Sequence, residues 1–216
     1  SSVRALTLYW VLIGGLLLEV PRKAILNETI RNIYFHVPMW FGMMVLCGCS
    51  VYYSILFLRK PDLLNDIKAT SYASTGMLYG VLGIVTGAIW ANYTWGKAWS
   101  NDIKQIGAAI GLLIYAAYFV LRNSITDIDK RARVGAVYNI FAFAMLLPAL
   151  WIIPRMMESL HPGGMGNPGA DPRDMDTRMR MVFWPAAVPG FILLGLWMST
   201  IIIRFRKIED KNLLHA

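Results

Sequence analysis

The sequence predicts an all-α, polytopic membrane protein with six transmembrane helices and short interfacial helices on the outer face. Three observations predict it. Hydrophobic residues make up 56% of the 216 positions and charged residues only 16%, with a mean hydropathy of +0.48, unlike a soluble globular chain. The apolar residues fall into six blocks, each near the ~20 residues that carry a helix across a bilayer. The blocks lack the alternation of barrel strands, and in lipid only helices and closed barrels satisfy every backbone polar group.

Taken in order, the blocks run over residues 3–20, 36–58, 71–90, 103–121, 134–153 and 182–203. The first has no small-residue cleavage site followed by a soluble domain, so it is expected to persist as a helix rather than leave as a signal peptide. The second contains Cys47 and Cys49, which two positions apart point to different helix faces and read as buried small side chains, not as ligands or a disulfide. The third carries Gly76, Gly80, Gly83 and Gly87, at spacings that let a neighbouring helix approach closely in lipid. Pro148 and Pro189 are expected to kink the last two spans. The whole chain, 1–216, reads as one transmembrane domain.

Net charge is +8. The basic residues are spread over short connections and form no continuous face, which argues for membrane topology and anionic lipid headgroups and against nucleic acid as a partner. Alternate connections carry 12 and 9 of the 21 Lys and Arg residues. By the positive-inside rule the richer side is cytoplasmic, so both termini are cytoplasmic and segments 21–35, 90–102 and 154–181 face outward. The cytoplasmic connections, RKPDLLNDIKAT and RNSITDIDKRAR, read as charged helix ends and turns. Segment 21–35 is long enough for an interfacial helix with Asn27 as a cap. The centre of 154–181, HPGGMGNPGADP, is too rich in Gly and Pro for regular structure. Length concentrated on one face marks the working face.

Chemistry concentrates there. Residues 90–102 read WANYTWGKAWSND, a polar-aromatic insert between two apolar blocks. Helical spacing would put Trp95 and Trp99 on one face. Of three histidines, His36 begins the second block, His161 follows the fifth, and His215 lies in the charged tail. The topology brings His36 and His161 to the depth of the aromatic insert. Two imidazoles able to bind iron axially, flat aromatic faces and nearby cations for carboxylates are what a haem requires. Trp10, Trp40, Trp151, Trp184 and Trp197 read as membrane-interface anchors.

The chain resembles the haem-handling proteins of cytochrome c maturation, the CcmC/CcsA family with its tryptophan-rich WWD-type signature WGxWWxWD. Trp95, Gly96, Trp99 and Asp102 stand at matching positions, while Ala98 and Asn101 replace two tryptophans. His36-Val37-Pro38, with Trp40 close behind, is similar to the family's HVP motif, Leu160-His161 to its second outward histidine, and Lys104 to the basic residue two positions after the Asp. The stretch up to Trp184-Pro185 is similar as well. The resemblance implies non-covalent haem b, with His36 and His161 as axial ligands and Trp90, Tyr93, Trp95 and Trp99 as its platform. Lys97, Lys104 and Arg155 are candidates for its propionates, and Asp102 for capping the fourth helix or fixing the tryptophan loop.

The implied function is haem binding at the periplasmic surface of a bacterial inner membrane and delivery to a periplasmic haem chaperone. Its implied partners are ABC transporter subunits and a small membrane subunit, with no enzymatic step of its own. Two other classes stay open on the residues alone. A b-type cytochrome would want histidines in mid-helix, and no block has one. A transporter or channel without haem would want broken helices and intramembrane ionisable residues; Glu19 is the one acidic residue inside a block, at its end.

Overall fold

The computed structural model describes residues 2–21, 26–161 and 175–214. It contains α1 (Ser2–Leu17), a 3₁₀ turn (Asn27–Asn32), α2 (Ile33–Arg59), α3 (Leu63–Trp95), α4 (Ile103–Asn123), α5 (Ile128–Leu147), a π turn (Pro148–Ile152), α6 (Ile153–Met156), α7 (Thr177–Val182), a second π turn (Phe183–Ala187) and α8 (Val188–Leu214). The turns run into their neighbours without a break. Five helical stretches are therefore long and apolar enough to cross a membrane: Asn27–Arg59, Leu63–Trp95, Ile103–Asn123, Ile128–Met156 and Thr177–Glu209. The apolar helix α1 has 16 residues, below the spanning length, so five of the six expected spans are established by length. His215, Arg173 and most of the Gly/Pro-rich segment lie outside the described residues.

Local chemistry sets the boundaries. Four helices start on an aspartate whose carboxylate accepts a backbone N–H of the first turn: Asp62 for α3, Asp102 for α4, Asp127 for α5 and Asp176 for α7. Such caps satisfy a donor that the helix itself leaves unpaired. Asn27 does not cap its turn. Its φ is +42°, the residue at the cap position is Leu26, and the Thr29 hydroxyl donates to the Leu26 carbonyl instead.

Helix α3 outruns the block 71–90 at both ends. It begins on the Asp62 cap and stops only where Gly96 takes a left-handed φ of +72°, the usual way for a helix to end. Pro148 and the Pro185–Pro189 region produce π turns, not simple kinks. Ile153 N–H reaches back to the Pro148 carbonyl, and Val188 N–H to the Phe183 carbonyl, each five residues away. A proline removes one donor from the α ladder, and the extra residue of a π turn re-pairs the neighbours.

Helices α2 and α3 form the most extensive packing in the molecule. Each glycine of the α3 stripe receives a side chain of α2. Gly87 faces His36, Gly83 faces Trp40, Gly80 faces Met43 and Gly76 faces Cys47, and an added Cβ would lie 2.6, 2.7, 2.8 and 2.7 Å from them. Buried polar groups tie the other helices in. Asn139 donates to Ser50 and Ser54 at 2.7 and 2.8 Å, Ser199 donates to Thr75 at 2.9 Å, and Tyr79 donates to the Phe191 carbonyl at 2.7 Å.

The charged helix ends and turns hold a buried contact. At the end of the bundle away from the aromatic insert, Arg122 makes a bidentate ion pair with Asp66, one arm at 2.8 Å, and both residues are buried. Gly135 leaves room for the guanidinium, since a Cβ there would meet Arg122 Nη1 at 2.7 Å. Removing one partner of such a pair strands the other charge, at a cost of about 3–5 kcal/mol. Arg122→Ala is expected to lower the thermal midpoint of the detergent-solubilised protein, by about 2–4 °C for each kcal/mol lost. Adding Asp66→Ala should recover part of the loss, read by the same melt.

Candidate functional site

A cavity of about 210 Å³ opens at the end of the bundle where α2 begins, α3 ends, α4 begins and α6 ends. Its walls are His36, Val37, Trp40 and Phe41 of α2; Gly83, Ile84, Gly87, Ala88 and Trp90 of α3; Lys104, Gln105 and Ala108 of α4; and Leu150, Trp151, Pro154 and Arg155 beyond α5. Trp99 and His161 enter from connecting segments, and Leu26, Ile30, Ile33, Met175 and Met179 complete the lining. Aromatic and aliphatic walls with a few convergent polar groups are what small-ligand sites have in common.

His36 stands inside α2, one turn beyond its first residue, and is 9% exposed. Gly87 leaves room for its ring, whose Cε1 would lie 2.6 Å from a Cβ added there. Its Nδ1 is 3.1 Å from Thr86 Oγ1, and the Thr86 hydroxyl is itself 2.8 Å from the Leu82 carbonyl, to which it donates. Trp40 and Trp90 contact the ring edge-on, with centroids 6.3 and 6.1 Å away. The Trp90 indole is in turn fixed by a 3.1 Å bond to Thr29 Oγ1.

His161 is held from α4. Asp102 caps that helix through Lys104 N at 2.9 Å and then reaches outward. Its Oδ1 lies 2.8 Å from His161 Nδ1. Its Oδ2 accepts from Ser159 Oγ at 2.8 Å and from Leu160 N at 2.6 Å. The carboxylate side chain is 1% exposed and the imidazole 27%. Burial alone would push the Asp102 carboxyl up, but its bonds with His161, Ser159 and Leu160 outweigh that and hold it below the usual carboxylate range. It is therefore an ionised acceptor at neutral pH. Trp95 packs edge-on against His161, centroids 5.0 Å apart.

The structure thus brings His36, His161, Trp90, Trp99, Lys104 and Arg155 to one cavity. Trp95 joins through His161, and Asp102 acts behind it. Tyr93, 75% exposed, and the exposed Lys97 are not among the lining residues. Trp95 and Trp99 do not share a helix face, because α3 ends between them at Gly96. Trp99 sits in the connection, 45% exposed, and donates its indole N–H to Asn101 Oδ1 at 2.7 Å. Asn101 has φ +56°, a conformation asparagine tolerates better than most residues.

Lys104 Nζ is buried and has no hydrogen-bond partner among the described residues. Arg155 donates to the Trp151 carbonyl at 3.1 Å and lies over the Trp151 ring, 4.8 Å from its centroid. Trp40 and Trp151, read from sequence as interface anchors, are cavity walls. Their spacing carried the signal: Trp40 is four residues after His36 and Trp151 four before Arg155, hence on the same helix faces. Thr86 carried no signal.

Fold and site together define a polytopic helical membrane protein with an indole-walled, cation-bearing cavity at one end and two imidazoles in it. The chain belongs to the CcmC family, heme exporter protein C, whose model matches residues 1–212; this is a family of haem-handling membrane proteins. It is 24% identical over 194 residues to heme exporter protein C of Rhodobacter capsulatus, covering 86% of this chain and 75% of that one. It is 25% identical over 144 residues to heme exporter protein C of Paracoccus denitrificans, 63% of this chain and 57% of that one. A shorter stretch of 87 residues is 42% identical to the cytochrome c biogenesis protein CcsA of Prochlorococcus marinus, 40% of this chain and 27% of that one. The chain thus spans little more than half of one relative and about a quarter of another.

The cavity wall predicts one stability contrast. A Cβ on Gly107 would lie 2.1 Å from the Ala149 carbonyl oxygen of the first π turn, whereas one on Gly48 would meet only Phe143 at 3.7 Å. Backbone cannot move aside as a side chain can. Gly107→Ala is expected to cost about 1–3 kcal/mol, read as a lower melting midpoint, and Gly48→Ala to leave the midpoint unchanged.

Proposed function

We propose that the chain binds haem non-covalently in this cavity and hands it on during cytochrome c biogenesis, with His36 and His161 as the two axial ligands. The observation that carries the reading is the meeting of two imidazoles from distant segments in one indole-lined cavity that also holds a buried, unpartnered amine at Lys104. A buried amine without a hydrogen-bond acceptor costs stability unless an acceptor joins it. A propionate is such an acceptor, and Arg155 lines the same cavity. Trp90, Trp99, Trp40 and Trp151 supply ring faces, and Trp95 supports His161.

In this reading the iron supplies the affinity for imidazole nitrogen, and the chain's own residues orient, shield and neutralise the bound molecule. His36, on a helix, is the fixed ligand. Release then centres on the 158–161 segment, which Asp102 ties to α4. The site lies on the periplasmic side of a bacterial inner membrane, both termini are cytoplasmic, and α1 counts as a sixth membrane helix of the single domain 1–216. The recipient is a periplasmic haem chaperone, with ABC transporter subunits and a small membrane subunit as further partners. The sequence relatives named for heme export and cytochrome c biogenesis support the assignment.

The test is the absorption spectrum and haem content of the purified protein. His36→Ala and His161→Ala are each expected to lower haem retention, and Gly87→Ala to do the same by displacing the His36 ring. Unchanged spectra in both histidine variants would remove the ligand assignment. Lys104→Met separates the second role: it should raise the melting midpoint of the haem-free protein, because a buried unpaired amine is removed, while weakening haem retention.

A further inference from the structure

We infer that Asp102 is the positioning residue for His161 and Thr86 the positioning residue for His36, so that both imidazoles turn a bare Nε2 to the cavity but with unequal donor strength. This rests on the haem-site reading above for what the Nε2 atoms do, though not for which nitrogen carries the proton.

A neutral imidazole has one N–H donor and one acceptor nitrogen, and the neighbour of one decides the state of the other. His161 Nδ1 faces two groups, Asp102 Oδ1 at 2.8 Å and Ser159 Oγ at 3.3 Å. A carboxylate oxygen can only accept. The single Ser159 hydroxyl proton is directed to Asp102 Oδ2 at 2.8 Å, so toward His161 that oxygen also accepts. Nδ1 must therefore carry the proton. His36 reaches the same state by another route. The Thr86 hydroxyl proton is shared between the Leu82 and Gly83 carbonyls, at 2.8 and 3.2 Å, which leaves its oxygen to accept from His36 Nδ1 at 3.1 Å, with the Gly83 carbonyl a second acceptor beside the ring.

The two acceptors differ in charge. A hydrogen bond to a carboxylate is roughly twice as strong as one between neutral groups, and such a partner raises the basicity of the opposite ring nitrogen. His161 is thus the stronger donor on the more exposed segment, and His36 the weaker donor at the buried helical position. The same carboxylate caps α4 and accepts from Leu160 N, so the strength of the ligand and the anchoring of its segment depend on one side chain. The arrangement is that of a metal-site histidine oriented by a carboxylate behind it.

The first test needs no haem. In the haem-free protein labelled with ¹⁵N-histidine, with resonances assigned by His36→Ala and His161→Ala, both residues are expected to show a protonated Nδ1 and an unprotonated Nε2. A proton on Nε2 of His161 overturns the Asp102 assignment, and one on Nε2 of His36 overturns that of Thr86. The second test uses haem. Asparagine caps helices as well as aspartate, so Asp102→Asn keeps the start of α4 but removes the charged acceptor. It is expected to lower haem affinity about 10- to 100-fold and shift the spectrum from low spin toward high spin, with added imidazole restoring low spin.

Ser159→Ala leaves the Asp102–His161 pair in place and should change affinity by less. Thr86→Val should weaken haem binding while Thr86→Ser retains it. Wild-type affinity and spin state in Asp102→Asn, with His161→Ala clearly impaired, would overturn the positioning role alone. Wild-type behaviour in His161→Ala would instead remove the ligand reading and leave the ¹⁵N result standing.

Discussion

How near α2 can come to α3 decides what the rest of the molecule can be. Lipid gives two apolar helices little reason to prefer each other over acyl chains, so close packing has to supply the attraction. The stripe Gly76, Gly80, Gly83 and Gly87 supplies it by letting Cys47, Met43, Trp40 and His36 sink into the surface of α3. The last two of those side chains are also the floor of the cavity. Bundle stability and ligand placement are therefore the same contact at Gly83 and Gly87, and neither can be varied alone.

The two ends of the bundle handle charge differently. At one end Asp66 and Arg122 neutralise each other completely inside the protein, and the pair ties α3 to α4. At the other end Asp102 is surrounded by donors, while the Lys104 amine two residues on has no hydrogen-bond partner among the described residues. A closed ion pair holds helices in register. A buried amine beside a cavity lacks such a partner. That asymmetry, more than the aromatic content, sets the cavity end apart.

Much of this was legible in the residues. Block length exposed the helical class, and the glycine spacing exposed a close helix contact on α3 without saying that α2 makes it. Two histidines flanking an indole-rich insert marked the site end. The reading failed where tertiary geometry overrides local pattern. The insert looked like a loop, yet Trp90, Tyr93 and Trp95 ride the final turns of α3 until Gly96 ends it. Trp40 and Trp151 looked like anchors because interfacial tryptophans usually are, although their four-residue spacing from His36 and Arg155 already set them on the cavity faces. Asp66 and Arg122 sat in charged connections that read as helix ends and turns, and a 56-residue separation hides their pairing. Thr86 was invisible, since a lone threonine in an apolar helix commonly bonds its own backbone, as this one also does.

The two π turns bear on how the length of this chain can vary. Each holds one residue more than the α-helical turn it replaces, at Pro148–Ile152 and at Phe183–Ala187. Losing that extra residue would restore a regular helix and rotate everything beyond it by about 100°, the angular step of one residue in a 3.6-residue turn. Past the first turn the rotation would carry Arg155 off its face. Single-residue deletions in these spans are therefore frame shifts of the surface rather than of the code, and the chain has a fixed count between its prolines and its cavity.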